Sequence, residues 1–220
     1  MPDDNTPRSP PRKSPFAFHY EVTRKIMNNT STITPTSAAE AITIGAYSGR
    51  ARDALPSALC ELIEAIDSCH DTVELSLAHG VTTALAAALR TPDWLPPDML
   101  QAESATYTRR LVYGDPDGRY SILAIAWGPG QYSPVHLHHT WCAVGVYQGA
   151  LQEWEYARPS AGEKPRITSK KARRVGDCTF DPRMTATHRI ANVTRETAVS
   201  IHIYGVAHDR LASDVNLVVA

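Results

Sequence analysis

Three histidines in the second half of the chain have the spacing of a metal site. His136 and His138 are separated by one residue in a segment predicted to be extended, and His188 follows much later. Alternate side chains of a strand share a face, so both members of the pair can enter one cavity while Leu137 points away. Three neutral imidazoles without a carboxylate leave a divalent metal with its full charge and with open positions. The pattern predicts a metal centre, but three histidines suit zinc as well as iron.

A second polar group alternates along a later predicted strand. Ser200, His202 and Tyr204 are each separated by one residue, so all three face one side, while Ile201 and Ile203 face the other. A serine–histidine–tyrosine relay of this kind can hold a tyrosine hydroxyl in a defined position. The sequence therefore predicts a second strand with a polar face.

The elements that would position these residues are mainly strands. After Leu100 the sequence alternates short β-prone runs with Gly, Pro, Asp and Ser. Many short strands within such a length predict a closed barrel or a jelly roll. The strand candidates are Tyr120 to Trp127, Trp141 to Tyr147, Leu151 to Tyr156, Ile167 to Val175, Ala198 to Tyr204 and Val215 to Val219.

The sequence before the strands differs in composition and in the spacing of its apolar residues. Residues 1–36 are rich in proline, polar and basic residues, which predicts a disordered leader, and Met27 offers a second plausible start beside Met1. Residues 37–100 carry apolar residues at helical spacing, with Gly80 interrupting the later stripe. We expect a leader at 1–36, a helical part at 37–100 packed on the barrel, and a barrel at 101–220.

Composition excludes several classes of partner. The net charge of −1 gives no electrostatic case for binding nucleic acid or an acidic membrane, and no apolar run reaches membrane-spanning length. The four cysteines show no CxxC spacing and no signal peptide is visible, which predicts free thiols and a cytoplasmic location. We expect a monomer or a small homo-oligomer that binds neither nucleic acid nor membrane.

The histidine motifs resemble those of the cupin superfamily. Gly130, five residues, His136-x-His138 and then Gly149 follow the first cupin motif, with Cys142 at the place of the usual glutamate. A second half-motif has Gly176, Pro182, His188 and Asn192, with Met184 where glycine is usual and one extra residue before the histidine. A cupin with this replacement and a downstream Ser-x-His-x-Tyr resembles the cysteine dioxygenase family of thiol dioxygenases, over roughly residues 100–210.

This resemblance implies roles for individual residues. It implies Fe(II) held by His136, His138 and His188, a substrate carboxylate bound by Arg109 with Tyr107 beside it, and an outer relay of Ser200, His202 and Tyr204. Arginine suits that role because its planar fork binds a carboxylate through two parallel hydrogen bonds. Some family members join a cysteine to the active-site tyrosine by a thioether bond, and Cys142 stands at the matching place. The implied fold is an all-β cupin jelly-roll barrel, or double-stranded β-helix, with an N-terminal helical segment.

The implied function is oxidation of a small thiol carboxylate to its sulfinic acid with O2, and L-cysteine is the first candidate substrate. Mercaptosuccinate and 3-mercaptopropionate are alternatives within this class. A non-catalytic metal-containing cupin that binds a small molecule is an alternative outside it. A zinc-dependent cupin isomerase or hydrolase is a third, although it needs a base for which no residue stands out.

Overall fold

The computed structural model describes residues 42–45, 47, 50–158 and 164–219. Two long helices precede most of the strands, and a third helix of one turn lies near the end. The helices are α1 (Ser57–Cys69), α2 (Glu74–Arg90) and α3 (Leu211–Asp214). The strands are β1 (Ile42–Ile44), β2 (Thr108–Gly114), β3 (Ser121–Trp127), β4 (His136–His138), β5 (Cys142–Gln148), β6 (Ala150–Ala157), β7 (Arg166–Arg174), β8 (Cys178–Asp181), β9 (Thr187–Ala191), β10 (Ala198–Tyr204) and β11 (Asn216–Val218).

The described strands form two sheets. One has six strands in the order β1-β2-β3-β10-β5-β8, and the other has five in the order β11-β4-β9-β6-β7. Strands far apart in the chain lie side by side, as in a jelly roll, where successive strands alternate between two facing sheets. The predicted cupin barrel with an N-terminal helical segment is confirmed.

The central strands of the six-stranded sheet are buried on both faces. Every residue of β3 and β10 is buried. Their outward side chains, such as Ile122 and Ile201, belong to one core with Leu59, Ile63 and Leu85 of the helices. Their inward side chains line the barrel. The helices therefore cover the outer face of the sheet, and the other sheet covers its inner face.

Glycine 80 does not interrupt the second helix, contrary to the sequence-based expectation. Helix α2 continues through Gly80, and α1 packs closely there: a Cβ at this position would lie 2.9 Å from Cys69 Sγ. A glycine inside a helix costs about 1 kcal/mol relative to alanine. Here its small size allows the two helices to approach.

The predicted strands agree with the observed ones to within about one residue at most ends, and Ala198–Tyr204 agrees at both. Five of the described strands, β1, β2, β4, β8 and β9, were not among the strand candidates, although the segment of β4 was predicted to be extended. Strand β1 lies in the part expected to be helical and pairs in parallel with β2. The predicted leader lies outside the described residues, and the three-part division of the chain stays a prediction.

All four cysteines are free. Within the described residues, no helix has both the length and the apolar character needed to cross a membrane.

Candidate metal centre

A cavity lies between the two sheets. Its wall contains seven of the nine residues that the sequence analysis singled out: Tyr107, Arg109, His136, His138, His188, His202 and Tyr204. The other two, Ser200 and Cys142, are buried directly behind this wall. The fold thus brings residues from five strands, and from the loop before β2, to one place.

The three histidines converge because of how β4 and β9 pair. His136 is the cross-strand partner of His188, so both rings project from the same face, and His138 follows on that face two residues later. One ring nitrogen of each histidine lies within 4.8 Å of the other two. All three residues are buried. This group has the donor set and the spacing for one metal ion.

Each histidine is held by an oxygen atom at its other ring nitrogen. His136 Nδ1 lies 3.0 Å from the carbonyl oxygen of Pro134, and His138 Nδ1 lies 3.3 Å from Asp181 Oδ2. His188 Nδ1 lies 2.8 Å from Glu153 Oε1. These oxygens accept hydrogen bonds, so each Nδ1 carries the hydrogen and each Nε2 presents a lone pair.

The three Nε2 atoms fit a cation. His136 Nε2 and His138 Nε2 approach to 3.2 Å, and when both rings carry hydrogen on Nδ1 neither atom can donate to the other. His188 Nε2 is buried and has no hydrogen-bond partner among the described residues. Burial also lowers the pKa of His136 well below its usual value, and it lowers that of His138. Neutral rings with converging lone pairs are the state in which histidine binds a metal.

Glu153 and Asp181, which hold two of the rings, were not predicted from the sequence. Burial would raise the pKa of Glu153, but the hydrogen bond with His188 and the contact with Arg173 lower it to about 2. Arg173 binds the second oxygen of Glu153 at 2.6 Å. Burial likewise opposes ionisation of Asp181, whereas its hydrogen bonds with His138 and Thr185 lower its pKa. Both carboxylates therefore stay ionised and can orient the rings.

We expect Glu153→Ala to lower the affinity for metal roughly 10- to 100-fold, the usual effect of losing a carboxylate that orients a histidine ligand. Glu155→Ala is the matched control, because this carboxylate lies on the same strand and pairs instead with Lys171. Competition between the protein and a chelator measures the affinity of each variant. Equal affinity in the two variants would contradict a role for Glu153 in orienting His188.

A second set of hydrogen bonds runs along the inner face of β10. Ser200 Oγ lies 2.9 Å from His202 Nε2, and His202 Nδ1 lies 3.0 Å from the hydroxyl of Tyr204. The indole nitrogen of Trp127, which can only donate, lies 2.9 Å from Ser200 Oγ. When Trp127 donates to Ser200 and Ser200 donates to His202, the other nitrogen of His202 carries hydrogen and donates to Tyr204.

Trp127 therefore has more than a packing role. It stacks on Tyr107, with ring centroids 4.4 Å apart, and also sets the direction of the hydrogen bonds that begin at Ser200. Burial lowers the pKa of His202 well below its usual value, which favours the neutral ring. No local pattern marked Trp127, because its partner lies on another strand.

Cys142 and Tyr204 are direct neighbours across two strands. They are cross-strand partners in the pairing of β5 with β10 and are hydrogen-bonded through their side chains. Cys142 in turn pairs with Asp181 of β8, so one row across the sheet links the tyrosine, the cysteine and a carboxylate that holds His138. Burial raises the pKa of Cys142 well above its usual value, so the group is a neutral thiol.

Arg109 faces the cavity because of the register in which three strands pair. It pairs with Ile125 of β3, which pairs with Ser200 of β10, so all three side chains lie on the inner face. Arg109 is buried, with 5% of its surface exposed, and Tyr107 lies two residues earlier in the same wall. The neighbouring Arg110 instead reaches the carbonyl oxygen of Gln101 in an exposed position. A buried guanidinium beside three histidines can bind an anionic group of a small molecule.

Comparison with known proteins places this site in a family. The model of the family "Cysteine dioxygenase type I" matches residues 71–212, which is more than half of the chain. Cysteine dioxygenase type 1 of Homo sapiens and that of Pongo abelii are each 30% identical over 106 residues, which are 47% of this chain and 52% of the relative. The chain thus spans about half the length of the curated relatives it matches.

Solved structures are similar over shorter or more divergent stretches. A putative sugar phosphate isomerase from Acidithiobacillus ferrooxidans is 27% identical, with a TM-score of 0.33, over 39% of this chain and 49% of its own. An uncharacterised protein with a double-stranded β-helix domain from Klebsiella pneumoniae is 17% identical, with a TM-score of 0.39, over 54% and 93%. TM-scores this low carry no argument about function. The family match covers the three histidines, Arg109 and the polar face of β10, and the chain belongs to the cysteine dioxygenase type I family.

Proposed function

We propose that the protein is an Fe(II)-dependent thiol dioxygenase that converts a small thiol carboxylate, with L-cysteine as the first candidate, to its sulfinic acid. The observation that carries this proposal is the set of three converging Nε2 lone pairs in the same cavity as the buried guanidinium of Arg109. Three neutral ligands on one face leave room for a thiolate and for O2. The donor set suits zinc as well, and membership of the family favours iron.

The residues around the centre have separate tasks in this proposal. A bound Fe(II) would supply a site at which a thiol loses its proton and meets O2. Arg109 binds the substrate carboxylate through two parallel hydrogen bonds and so orients the thiol towards the histidines. Ile125 and Trp127 contribute apolar surface to the wall, and a charge pair beside apolar surface is stronger than one in water.

The relay on β10 holds one proton at a defined atom. His202 donates from Nδ1 to the oxygen of Tyr204, so the hydroxyl hydrogen of Tyr204 is directed away from His202. The ring of Tyr204 lies against that of His138, with centroids 5.7 Å apart. Tyr204 also lines the cavity that contains the three histidines, beside the proposed position of the substrate.

The test is reconstitution with Fe(II) without oxygen, followed by measurement of oxygen uptake against a panel of thiols. We expect uptake with L-cysteine, one O2 consumed for each sulfinic acid formed, and slower uptake with mercaptosuccinate or 3-mercaptopropionate. A protein that binds a thiol carboxylate without consuming O2 is a binding module, and that result would overturn the proposal. The same follows if activity requires zinc and produces no sulfinic acid.

We further expect a thioether bond to form between Cys142 and Tyr204. The thiol sulfur would bond to the ring carbon next to the hydroxyl group, and the two hydrogens lost from S–H and C–H would reduce O2. Protein incubated with Fe(II), L-cysteine and oxygen should lose about two hydrogens in intact mass, as expected for a two-electron thiol oxidation, and yield a linked peptide. Cys142→Ser is the control and should keep its mass. If wild-type protein turns over at length with an unchanged mass, Cys142 has only a packing role.

The cytoplasmic location, the monomeric or small homo-oligomeric state and the lack of nucleic-acid or membrane partners stay predictions. Oxygen uptake and metal content test the proposed reaction, and they do not test these properties. Light scattering of the purified protein measures the oligomeric state directly.

A further inference from the structure

Asn216 contributes an unsatisfied acceptor to the cavity. Its side-chain oxygen Oδ1 is buried and has no hydrogen-bond partner among the described residues. The residue lies in the wall of the same cavity as the three histidines and Arg109. A buried acceptor without a partner costs free energy, so its presence at a binding site points to a ligand that donates a hydrogen bond.

The pairing of β11 with β4 explains why this oxygen faces the site. Asn216 is the cross-strand partner of His138, and in an antiparallel pair such partners project from the same face. The next residue, Leu217, pairs with Leu137 and faces the other way. The carboxamide therefore stands directly beside a proposed metal ligand.

The polar groups of the cavity wall determine which hydrogen-bonding groups a ligand should carry. Arg109 offers N–H donors to an anionic or neutral acceptor. Asn216 Oδ1 needs a donor. Ser133 is another residue of the wall. Its hydroxyl donates to the carbonyl of Pro134 and accepts from the backbone N–H of Ile190, so it does not need a hydrogen bond from the ligand. A small molecule with a carboxylate at one end and an N–H group near its thiol meets both needs.

We propose that Asn216 determines specificity by accepting a hydrogen bond from the amino group of an amino thiol carboxylate. The inference rests on the proposed function and names the part of the substrate that Asn216 recognises. A thiol carboxylate that lacks the amino group leaves Oδ1 buried and unpaired. A site that must leave a buried polar group unpaired discriminates strongly against the ligand that causes this.

L-Cysteine and 3-mercaptopropionate are the matched pair of ligands, because they differ only in the amino group. We would measure the affinity of Fe(II)-loaded protein for each by calorimetry without oxygen, so that no turnover occurs. Asn216→Leu keeps the approximate volume and removes the acceptor. Its preference for L-cysteine over 3-mercaptopropionate should fall roughly 10- to 100-fold relative to wild type. Any contact between the amino group and the metal is the same in wild type and in Asn216→Leu, so it cancels when the two preferences are compared.

Two further variants make the result specific. Asn216→Asp keeps an acceptor oxygen and should retain a preference for L-cysteine. Leu217→Val changes the neighbouring side chain on the opposite face and should leave the ratio as in wild type. An unchanged ratio in Asn216→Leu, or an equal loss for both ligands, would overturn the role of Asn216 while leaving the proposed function intact. Wild-type protein that binds neither thiol would overturn both.

Discussion

Replacement of His188 by alanine should abolish metal binding and, with it, thiol oxidation. His188 is the third of three ligands and comes from β9, whereas the other two come from β4. Two neutral imidazoles on one strand are left, and the loss of affinity should exceed the roughly 10- to 100-fold that follows loss of an outer hydrogen-bond partner. Metal analysis of purified protein and a chelator titration measure this effect.

A matched histidine variant separates ligation from general damage. His139 is adjacent to the pair on β4, is partly exposed and lies outside the cavity wall, so His139→Ala should retain the metal. Circular dichroism and thermal unfolding should show that both variants fold. Full metal occupancy and activity in His188→Ala would mean that the third ligand has been assigned wrongly.

The second large effect concerns the substrate. Arg109→Ala should raise the KM for L-cysteine by tens-fold or more, because truncating one member of a buried charge pair costs about 2–5 kcal/mol. Cysteamine has the same thiol and amino group but no carboxylate, so its weaker turnover should change little. Oxygen uptake as a function of thiol concentration gives the KM for each thiol in the wild type and in Arg109→Ala. The change in KM is then compared between L-cysteine and cysteamine.

Arg110→Ala is the control for this experiment. Arg110 is the next residue on β2, but its guanidinium reaches the carbonyl of Gln101 outside the barrel, so its loss should leave the KM for L-cysteine unchanged. Equal losses for L-cysteine and cysteamine in Arg109→Ala would show that Arg109 supports the fold and does not bind the carboxylate.

The sequence by itself determined which side chains can act together on one strand. The alternation of His136 with His138, and of Ser200 with His202 and Tyr204, follows from the two-residue period of an extended chain. The boundaries of several strands and the jelly-roll class could also be predicted, because turn residues and β-prone runs are local signals. Family motifs added His188 and Arg109 as partners from elsewhere in the chain.

Tertiary structure alone decided which remote residues complete the site. Glu153 and Asp181 hold two histidine rings, Trp127 sets the direction of the relay, and Asn216 places an acceptor beside His138. None of them belongs to the motifs that marked the site. Glu153, Trp127 and Asn216 reach a partner on a neighbouring strand, and Asp181 reaches His138 on the other sheet. Which strands lie side by side, and in which register, depends on how the whole chain buries its apolar faces. Local periodicity does not contain that information.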